Sequence, residues 1–582
     1  MRSVLPLRAA ALAAFAMQFA IADAILRRPA LRAWLPSAVA SAALWLVLSG
    51  LARRRPARVA VALAAAWLLV VQVLFFRYYH VFLDDDATAA ARHMWPDARP
   101  VLLGVLPMVV TSAMVLGAVE YGCLALAPLV RRRHLAFAMA ACVLCLALGP
   151  PLRDASPDVE ALWSLRGLAR AREAKAASSV EVAALPSKQA RLPNVLFILD
   201  ESVRASDYQP GDAPRTEELT RGRVDFTQAR SVASYTAIAI ASLLTSRPPI
   251  DPETQRDAEP DAFDLVRAVR SGEERPRVVY WSAQTDSLFE HHDVRAVADS
   301  FSTVEDLVGR RVEDIDDVVE AGVDVDRLLA DEVEAKLPSV AKPFFVTLHL
   351  SGTHAPYFVD DADAPFRPYR HTVTWAGLPE LHNAYRDAIR AQDRSVARML
   401  RAFFAAVGGE PYVVFFTSDH GEAFGEHHAI HHGQSLFDEQ VHVPMWVLAG
   451  NGALDDEQAR ALRAHAGESV THLDFVPTLL DAYGVLDAFP MGAYRKRFAG
   501  RSLLRDGAPA AALPMTNCTD MFPCPVRTWG VLGPEREISA QPWDGGWVCV
   551  DLSGAVADDA QCAALRQASH AWFATLPNGT AN

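Results

Sequence analysis

Asn194-Val-Leu-Phe-Ile-Leu-Asp-Glu-Ser-Val-Arg204 sets a short apolar run against an abrupt polar ending at Asp200 and Glu201. A run of that length without polar alternation predicts a strand buried on both faces, as in a parallel sheet covered by helices. Three further runs read the same way: Arg277-Val-Val-Tyr-Trp281, Pro343-Phe-Phe-Val-Thr-Leu-His-Leu350 and Tyr412-Val-Val-Phe-Phe416. Longer helical patterns separate them, so an α/β domain is expected, with a mostly parallel central sheet between helical layers. Sites in such sheets form just past the carboxyl ends of strands. Asp200-Glu201, His349-Leu-Ser-Gly-Thr-His354 and Ser418-Asp-His-Gly-Glu422 stand at those ends, and the fourth run leads into Trp281-Ser-Ala-Gln284.

Upstream the chain changes character. Five apolar segments, at about 5–26, 33–51, 59–82, 101–130 and 134–150, are each near the length that crosses a bilayer. The expected organisation is an N-terminal five-helix transmembrane bundle over 1–150, an interfacial helix and linker over 151–192, an α/β/α catalytic domain over 193–505 and a C-terminal extension over 506–582. Arg53, Arg54, Arg55 and Arg58 mark one cytoplasmic loop and Arg131, Arg132 and Arg133 another. Everything beyond residue 150 then falls on the outer, periplasmic or extracellular side of a multi-pass cytoplasmic membrane protein. Arg27, Arg28 and Arg32 run against that assignment, since they fall on the outer side. Asp23 and Glu120 lie within or near apolar spans, where ionisable groups are costly, and their role stays open. Residues 157–177, with Leu162, Trp163, Leu165 and Leu168 among Arg166, Arg170 and Arg172, suit an interfacial amphipathic helix.

The formal charge of -13 argues against a nucleic-acid partner. Cys123, Cys142 and Cys145 sit in apolar segments, where a thiol packs as a small apolar group. Cys518, Cys524, Cys549 and Cys562 cluster near the C-terminus and suit two disulfides in an oxidising compartment, with the pairing open.

The carboxylates of Asp200-Glu201 and Asp419 and the imidazole of His420 together suit one divalent cation, zinc first, with manganese, magnesium or calcium as alternatives. Ser234-Tyr-Thr-Ala-Ile-Ala-Ile-Ala-Ser-Leu-Leu-Thr-Ser-Arg-Pro248 places small and apolar residues at helical spacing after Thr236. A hydroxyl at a helix N-terminus is either a cap or a nucleophile, because helix dipole and metal both stabilise an alkoxide there.

Taken together, Asn194–Arg204, Ser242-Leu-Leu-Thr245, Ser418–Glu422, Gly425-Glu426, His432-Gly433, Val443-Pro444 and Asp474-Phe-Val-Pro-Thr-Leu-Leu480 resemble a known catalytic domain. It is the sulfatase-type domain of the alkaline phosphatase superfamily, shared by arylsulfatases, lipid A phosphoethanolamine transferases and lipoteichoic acid synthases. Sulfatases carry Cys or Ser at the nucleophile position, followed by x-Pro-x-Arg, whereas this chain reads Thr236-Ala-Ile-Ala-Ile240. The transferases use Thr there. The cysteines that flank the nucleophile in many phosphoethanolamine transferases are absent, and Ser242-Leu-Leu-Thr245 leans towards sulfatases.

The resemblance implies that Glu201, Thr236, Asp419 and His420 hold the metal and that Thr236 is the nucleophile. His354 and His432 would bind the phosphoryl oxygens or protonate the leaving group. The partners implied are the membrane, a phospholipid donor of a phosphoethanolamine- or phosphoglycerol-type group, and a cell-envelope glycolipid or glycan acceptor. His349, His427, His428 and His431 read as surface or supporting residues. A hydrolase of sulfate or phosphate esters on the same fold is the alternative enzyme, and a tethered binding protein with a decayed site is the alternative of another class.

Overall fold

Backbone amides in a bilayer core must bond within their own segment, so long apolar stretches become helices there. The computed structural model describes residues 4–27, 31–79, 81–84, 87–88, 95–126, 136–140, 156–161, 181–250, 260–285, 294–312, 315–519, 528–541 and 546–573. The chain divides into two compact units near residue 172.

In the first unit, helices α1 (Val4–Leu26), α2 (Leu31–Leu51), α3 (Arg55–Tyr79) and α4 (Trp95–Leu126) cover the first four expected segments. These are the four helices among the described residues that are long and apolar enough to cross a membrane. The fifth expected segment, 134–150, lies outside the described residues except for 136–140, which are helical. Phe19 of α1 stacks on Trp45 of α2 at 5.1 Å between ring centroids.

The start of the expected interfacial helix is placed differently from the amphipathic reading. Residues 162–180 lie outside the described part, but Ser156, Asp158 and Glu160 are buried among α1, α2 and α3. Asp158 accepts hydrogen bonds from Ser41 Oγ and Trp45 Nε1, both at 2.9 Å, and Gln72 Nε2 donates to the Pro157 carbonyl at 2.7 Å. Arg27 pairs with Asp23 and Glu160, each at 2.9 Å. This accounts for part of the outer-side arginine exception. An arginine neutralised by two carboxylates has no free charge to hold its loop in the cytoplasm.

The second unit is built on a seven-stranded sheet. Its strands are β1 (Asn194–Asp200), β2 (Val224–Asp225), β4 (Arg277–Ser282), β5 (Ser300–Ser302), β6 (Phe344–His349), β7 (Tyr412–Ser418) and β10 (Met445–Gly450), in the spatial order β2-β10-β7-β1-β6-β4-β5. Pairing is parallel from β7 through β5, and β10 and β2 extend the sheet antiparallel at the other edge. The apolar residues of β1 serve both faces. Val195, Phe197 and Leu199 enter the core that includes Leu243 and Leu244 of α5 (Thr236–Thr245). Leu196 and Ile198 enter the opposite core, with Leu329 and Val333 of α6 (Val325–Lys336) and Met399 and Phe403 of α7 (Leu378–Val407). Fully burying each such side chain contributes about 1.5–3 kcal/mol, which is why β1 has no polar alternation.

Two short pairings complete the domain: β3 (Gln228–Arg230) with β11 (Ser469–Thr471), and β8 (Ala423–Phe424) with β9 (Ile430–His431). The C-terminal extension forms an antiparallel sheet of β12 (Leu513–Thr516), β13 (Trp529–Leu532), β14 (Arg536–Gln541) and β15 (Gly546–Asp551). Leu513, Met515 and Leu532 from this sheet share a core with Val232, Leu436 and Val441 of the catalytic domain. Cys549 and Cys562 form a disulfide, and Cys518 is also disulfide-bonded. Cys142, Cys145 and Cys524 lie outside the described residues, and Cys123 is a free thiol.

Candidate active site

Strand β1 lies between β6 and β7, and the register sets Leu199 beside His349 and Asp200 beside Ser418. Three expected clusters therefore meet at one sheet edge. Glu201 follows β1, Asp419 and His420 follow β7, and the loop to His354 follows β6. The Asp419 amide donates to the Asp200 carbonyl at 3.0 Å, which ties the first two ends together.

Glu201, Asp419 and His420 are buried, and one ligand atom from each lies within 4.8 Å of the others. His420 Nε2 stands 3.3 Å from Asp419 Oδ2 and 3.7 Å from Glu201 Oε1. Nδ1 of His420 sits 3.0 Å from the Gly421 carbonyl, which can only accept, so Nδ1 carries the proton and Nε2 keeps its lone pair facing the cluster. Gly421 is needed here because a Cβ would come within 2.4 Å of the Glu439 carbonyl oxygen.

Thr236 is the first residue of α5, and the N-cap is Tyr235, so the threonine does not cap the helix. Its Oγ1 lies 3.0 Å from His420 Nε2 and 3.3 Å from Glu201 Oε1. The hydroxyl thus meets the Glu201 carboxylate and the His420 imidazole, with the N-terminus of α5 behind it.

The electrostatics show what this arrangement suits. Burial pushes the Asp419 carboxyl well above its ordinary range, and the neighbouring Glu201 charge adds to that. Burial acts on Glu201 in the same sense, but His349, His420 and His354 around it outweigh that and hold it well below the ordinary range. Burial, then His432, brings His420 down to about 3, so it is neutral at pH 7, the form that ligates metals. Asp419 Oδ2 is buried with no hydrogen-bond donor. Two adjacent buried carboxylates, one with an unfilled oxygen, and a neutral imidazole fit a divalent cation, which would let both carboxylates ionise.

Of the remaining expected residues, His432 lies against the cluster, its ring centroid 4.3 Å from that of His420, and His354 is 5.7 Å from His432. His432 Nδ1 is 3.5 Å from Glu422 Oε1, and His354 Nδ1 is 3.3 Å from Asp316 Oδ1. Asp200 does not join the ligand group. Burial and then the charge of Asp326 raise its pKa well above the carboxylate range.

His349 is a buried supporting residue. Its Nδ1 is 2.8 Å from the Tyr280 hydroxyl, and its Nε2 is 3.8 Å from Glu201 Oε2. His427 and His428 are exposed, and His431 is buried beside Tyr357. Arg204 bonds Asp207 at 2.5 Å and Glu426 at 2.8 Å, locking the stretch after Glu201 to the loop after Glu422.

Sequence reading assigned nothing to two residues that shape this site. Gln284, beyond β4, donates from Nε2 to Glu201 Oε2 at 2.9 Å; its place after a strand end was the available signal. Asp326 of α6 accepts from the Ser351 and Gly352 amides, both at 2.9 Å, and so holds the loop that carries His354. Nothing in the local sequence around Asp326 marks it.

The Sulfatase family model matches residues 193–485, half of the chain. The chain belongs to the sulfatase family. No curated protein matches it in sequence. Among solved structures, it is similar to the integral membrane lipooligosaccharide phosphoethanolamine transferase A (EptA) from Neisseria meningitidis, at 15% identity and a TM-score of 0.54, over 86% of this chain and 98% of that one. At this identity the likeness shows the fold, membrane helices followed by a sulfatase-family α/β domain. The zinc complex of the periplasmic domain of EcEptC from Escherichia coli aligns at 14% identity and a TM-score of 0.45, over 65% of this chain and 98% of that one. A 2-O GAG sulfatase aligns at 14% and 0.44, over 66% and 91%.

Proposed function

We propose that the protein is a membrane-bound, metal-dependent transferase that moves a phosphoethanolamine- or phosphoglycerol-type group from a phospholipid to a cell-envelope glycolipid or glycan. The observation that carries this reading is Thr236. It stands at the nucleophile position as a threonine, and its hydroxyl is aimed at Glu201 and His420 instead of capping α5. A sulfatase of the formylglycine type needs Cys or Ser there, and threonine cannot be oxidised to that aldehyde. The four apolar helices support access to a lipid donor. The activity printed for the full-length Neisseria relative agrees with the reading.

Glu201, Asp419, His420 and Thr236 Oγ1 would hold the cation, and a mixed oxygen and nitrogen donor set of this kind suits zinc. When bound, the ion supplies a lowered pKa for the Thr236 hydroxyl and charge to offset the phosphoryl oxygens. Thr236 Oγ, as the alkoxide, attacks the donor phosphorus, and the bond to the diacylglycerol oxygen breaks. His432 or His354 gives that oxygen a proton. The acceptor hydroxyl then attacks the phosphothreonine, its proton returns to the imidazole, and Thr236 leaves. With the fifth expected span over 134–150, the arginine clusters would put this chemistry outside the cytoplasm.

The test is to incubate the purified full chain with headgroup-labelled phosphatidylethanolamine and, separately, phosphatidylglycerol. Label in the protein or a glycolipid acceptor, with stoichiometric diacylglycerol release, is the expected result. Release of inorganic phosphate or sulfate from simple esters, with neither lipid turned over, would replace this reading with the hydrolase.

A further inference from the structure

Asn517, at the end of β12 in the C-terminal extension, reaches across to the turn that presents Thr236. Its Oδ1 accepts from the Ser234 amide at 2.8 Å, and its Nδ2 donates to Ser234 Oγ at 2.9 Å and to Thr528 Oγ1 at 3.2 Å. Ser234 Oγ in turn donates to the Ser435 carbonyl at 2.6 Å. Each direction in this chain is dictated by its chemistry. An amide N–H can only donate and a carbonyl can only accept, which orients the Asn517 side chain and leaves Ser234 Oγ to accept from it. Asn517, Ser234, Thr528 and Ser435 are all buried.

These bonds join three segments that are remote in sequence. Ser234 is two residues before Thr236, and Ser435 is three residues after His432. The Thr516 amide adds a bond to the Val232 carbonyl at 3.2 Å, and Cys518, the next residue after Asn517, is disulfide-bonded. Val232 and Leu436 pack with Met515 and Leu532 around the same junction. The extension therefore braces the nucleophile turn and the His432 loop through one side-chain amide.

We infer that Asn517 is a positioning residue: through Ser234 it sets the distance between Thr236 and the His432 loop. The inference rests on the reading of Thr236 as nucleophile. Asn517 does not touch the reacting atoms. Its effect is on geometry, and a displacement of about 1 Å at a reacting group slows chemistry by roughly a hundredfold.

The experiment measures first-turnover formation of the Thr236 adduct from phosphatidylethanolamine, donor KM, bound zinc and thermal stability, all on the full chain in detergent. Variants are Asn517→Ala, Asn517→Asp, Ser234→Ala and the double variant Asn517→Ala/Ser234→Ala, with Thr236→Ala in parallel. Asn517→Asp keeps the acceptor for the Ser234 amide and loses the donor to Ser234 Oγ, so it should fall between wild type and Asn517→Ala. The expected result is a first turnover slowed about tenfold or more in Asn517→Ala, with donor KM and zinc content unchanged. The double variant should lose less than the two single losses combined, because both substitutions remove the Asn517 Nδ2 bond to Ser234 Oγ.

Wild-type first-turnover rates in both Asn517 variants and in Ser234→Ala, with Thr236→Ala inactive, overturn this inference and leave the nucleophile standing. Additive losses, or losses that track zinc content and stability, overturn it in favour of a merely structural residue. An active Thr236→Ala removes the nucleophile reading, and this inference goes with it. Should Asn517→Ala fail to fold, Ser234→Ala and Asn517→Asp carry the same comparison.

Discussion

Thr236 Oγ1 stands 3.0 Å from His420 Nε2, although 184 residues separate them in the chain. One arrives on the first turn of α5 and the other just past the end of β7. A capping threonine would turn its oxygen back to its own helix amides; this one faces the Glu201 carboxylate and a neutral imidazole. The site is therefore built around that oxygen.

Thr236→Ala should abolish transfer, a loss on the order of a thousandfold or more, because no oxygen remains to take the phosphoryl group. Stability should change by less than the ~1 kcal/mol of a lost cap, since Tyr235 is the N-cap. Thr236→Ser keeps the oxygen and should retain part of the rate. With donor lipid and no acceptor, intact-mass measurement should find a phosphoalcohol adduct on the peptide that contains residue 236. An adduct mapped elsewhere rules the mechanism out.

Asp419→Ala and His420→Ala should each purify folded but without stoichiometric metal, read by elemental analysis beside circular dichroism. Asp419→Asn carries a second expectation. In the presence of chelator it should be at least as stable as wild type, because it removes a buried carboxylate beside Glu201. Full metal occupancy in the Asp419 and His420 variants would show that the centre lies elsewhere.

A reporter active only after export, fused at Asn582, should be active, because the arginine clusters at 53–58 and 131–133 hold their loops inside and the fifth expected span, 134–150, then carries the chain out. Glu160→Ala removes the Arg27–Glu160 pair and should lower the stability of the detergent-solubilised protein by about 1–3 kcal/mol. A full-length fusion in the membrane without the reporter signal, or an unchanged melting temperature, would count against these two assignments respectively.

His472 gives a pH expectation. Burial depresses its pKa to about 4, and Thr417 Oγ1 is 3.2 Å from its Nε2. Below the ordinary histidine value of about 6.5, the unfolded chain binds a proton that the folded chain refuses. Stability should therefore be constant above about pH 6.5 and fall, by up to about 3 kcal/mol, as the pH drops to about 4. Denaturant midpoints across that window check it, and His472→Gln should flatten this part of the profile. An equal slope in the variant would assign the pH dependence to other groups.

The local sequence determined those features whose physical cause is itself local. The apolar runs that become β1, β4, β6 and β7 are continuous because each strand is covered on both faces. The polar clusters that close three of them, Asp200-Glu201, the stretch from His349 to His354 and Ser418–Glu422, were legible as site candidates for the same reason. Thr236 was legible as a choice between cap and nucleophile, and the tertiary structure removes the cap, because its hydroxyl points to Glu201 and His420 and Tyr235 is the N-cap. Tertiary structure alone decided which strand ends are neighbours, through the β7-β1-β6 register, and so which carboxylates and imidazoles share one point. Tertiary structure also buried residues 156–160 among α1, α2 and α3, at the start of a stretch whose composition suggested a membrane surface. Gln284, Asp326 and Asn517 belong to the same class: each is a single polar residue whose partner lies dozens to hundreds of residues away. Hydrogen bonds made across such distances leave no periodicity in the chain, and only the fold brings donor and acceptor together.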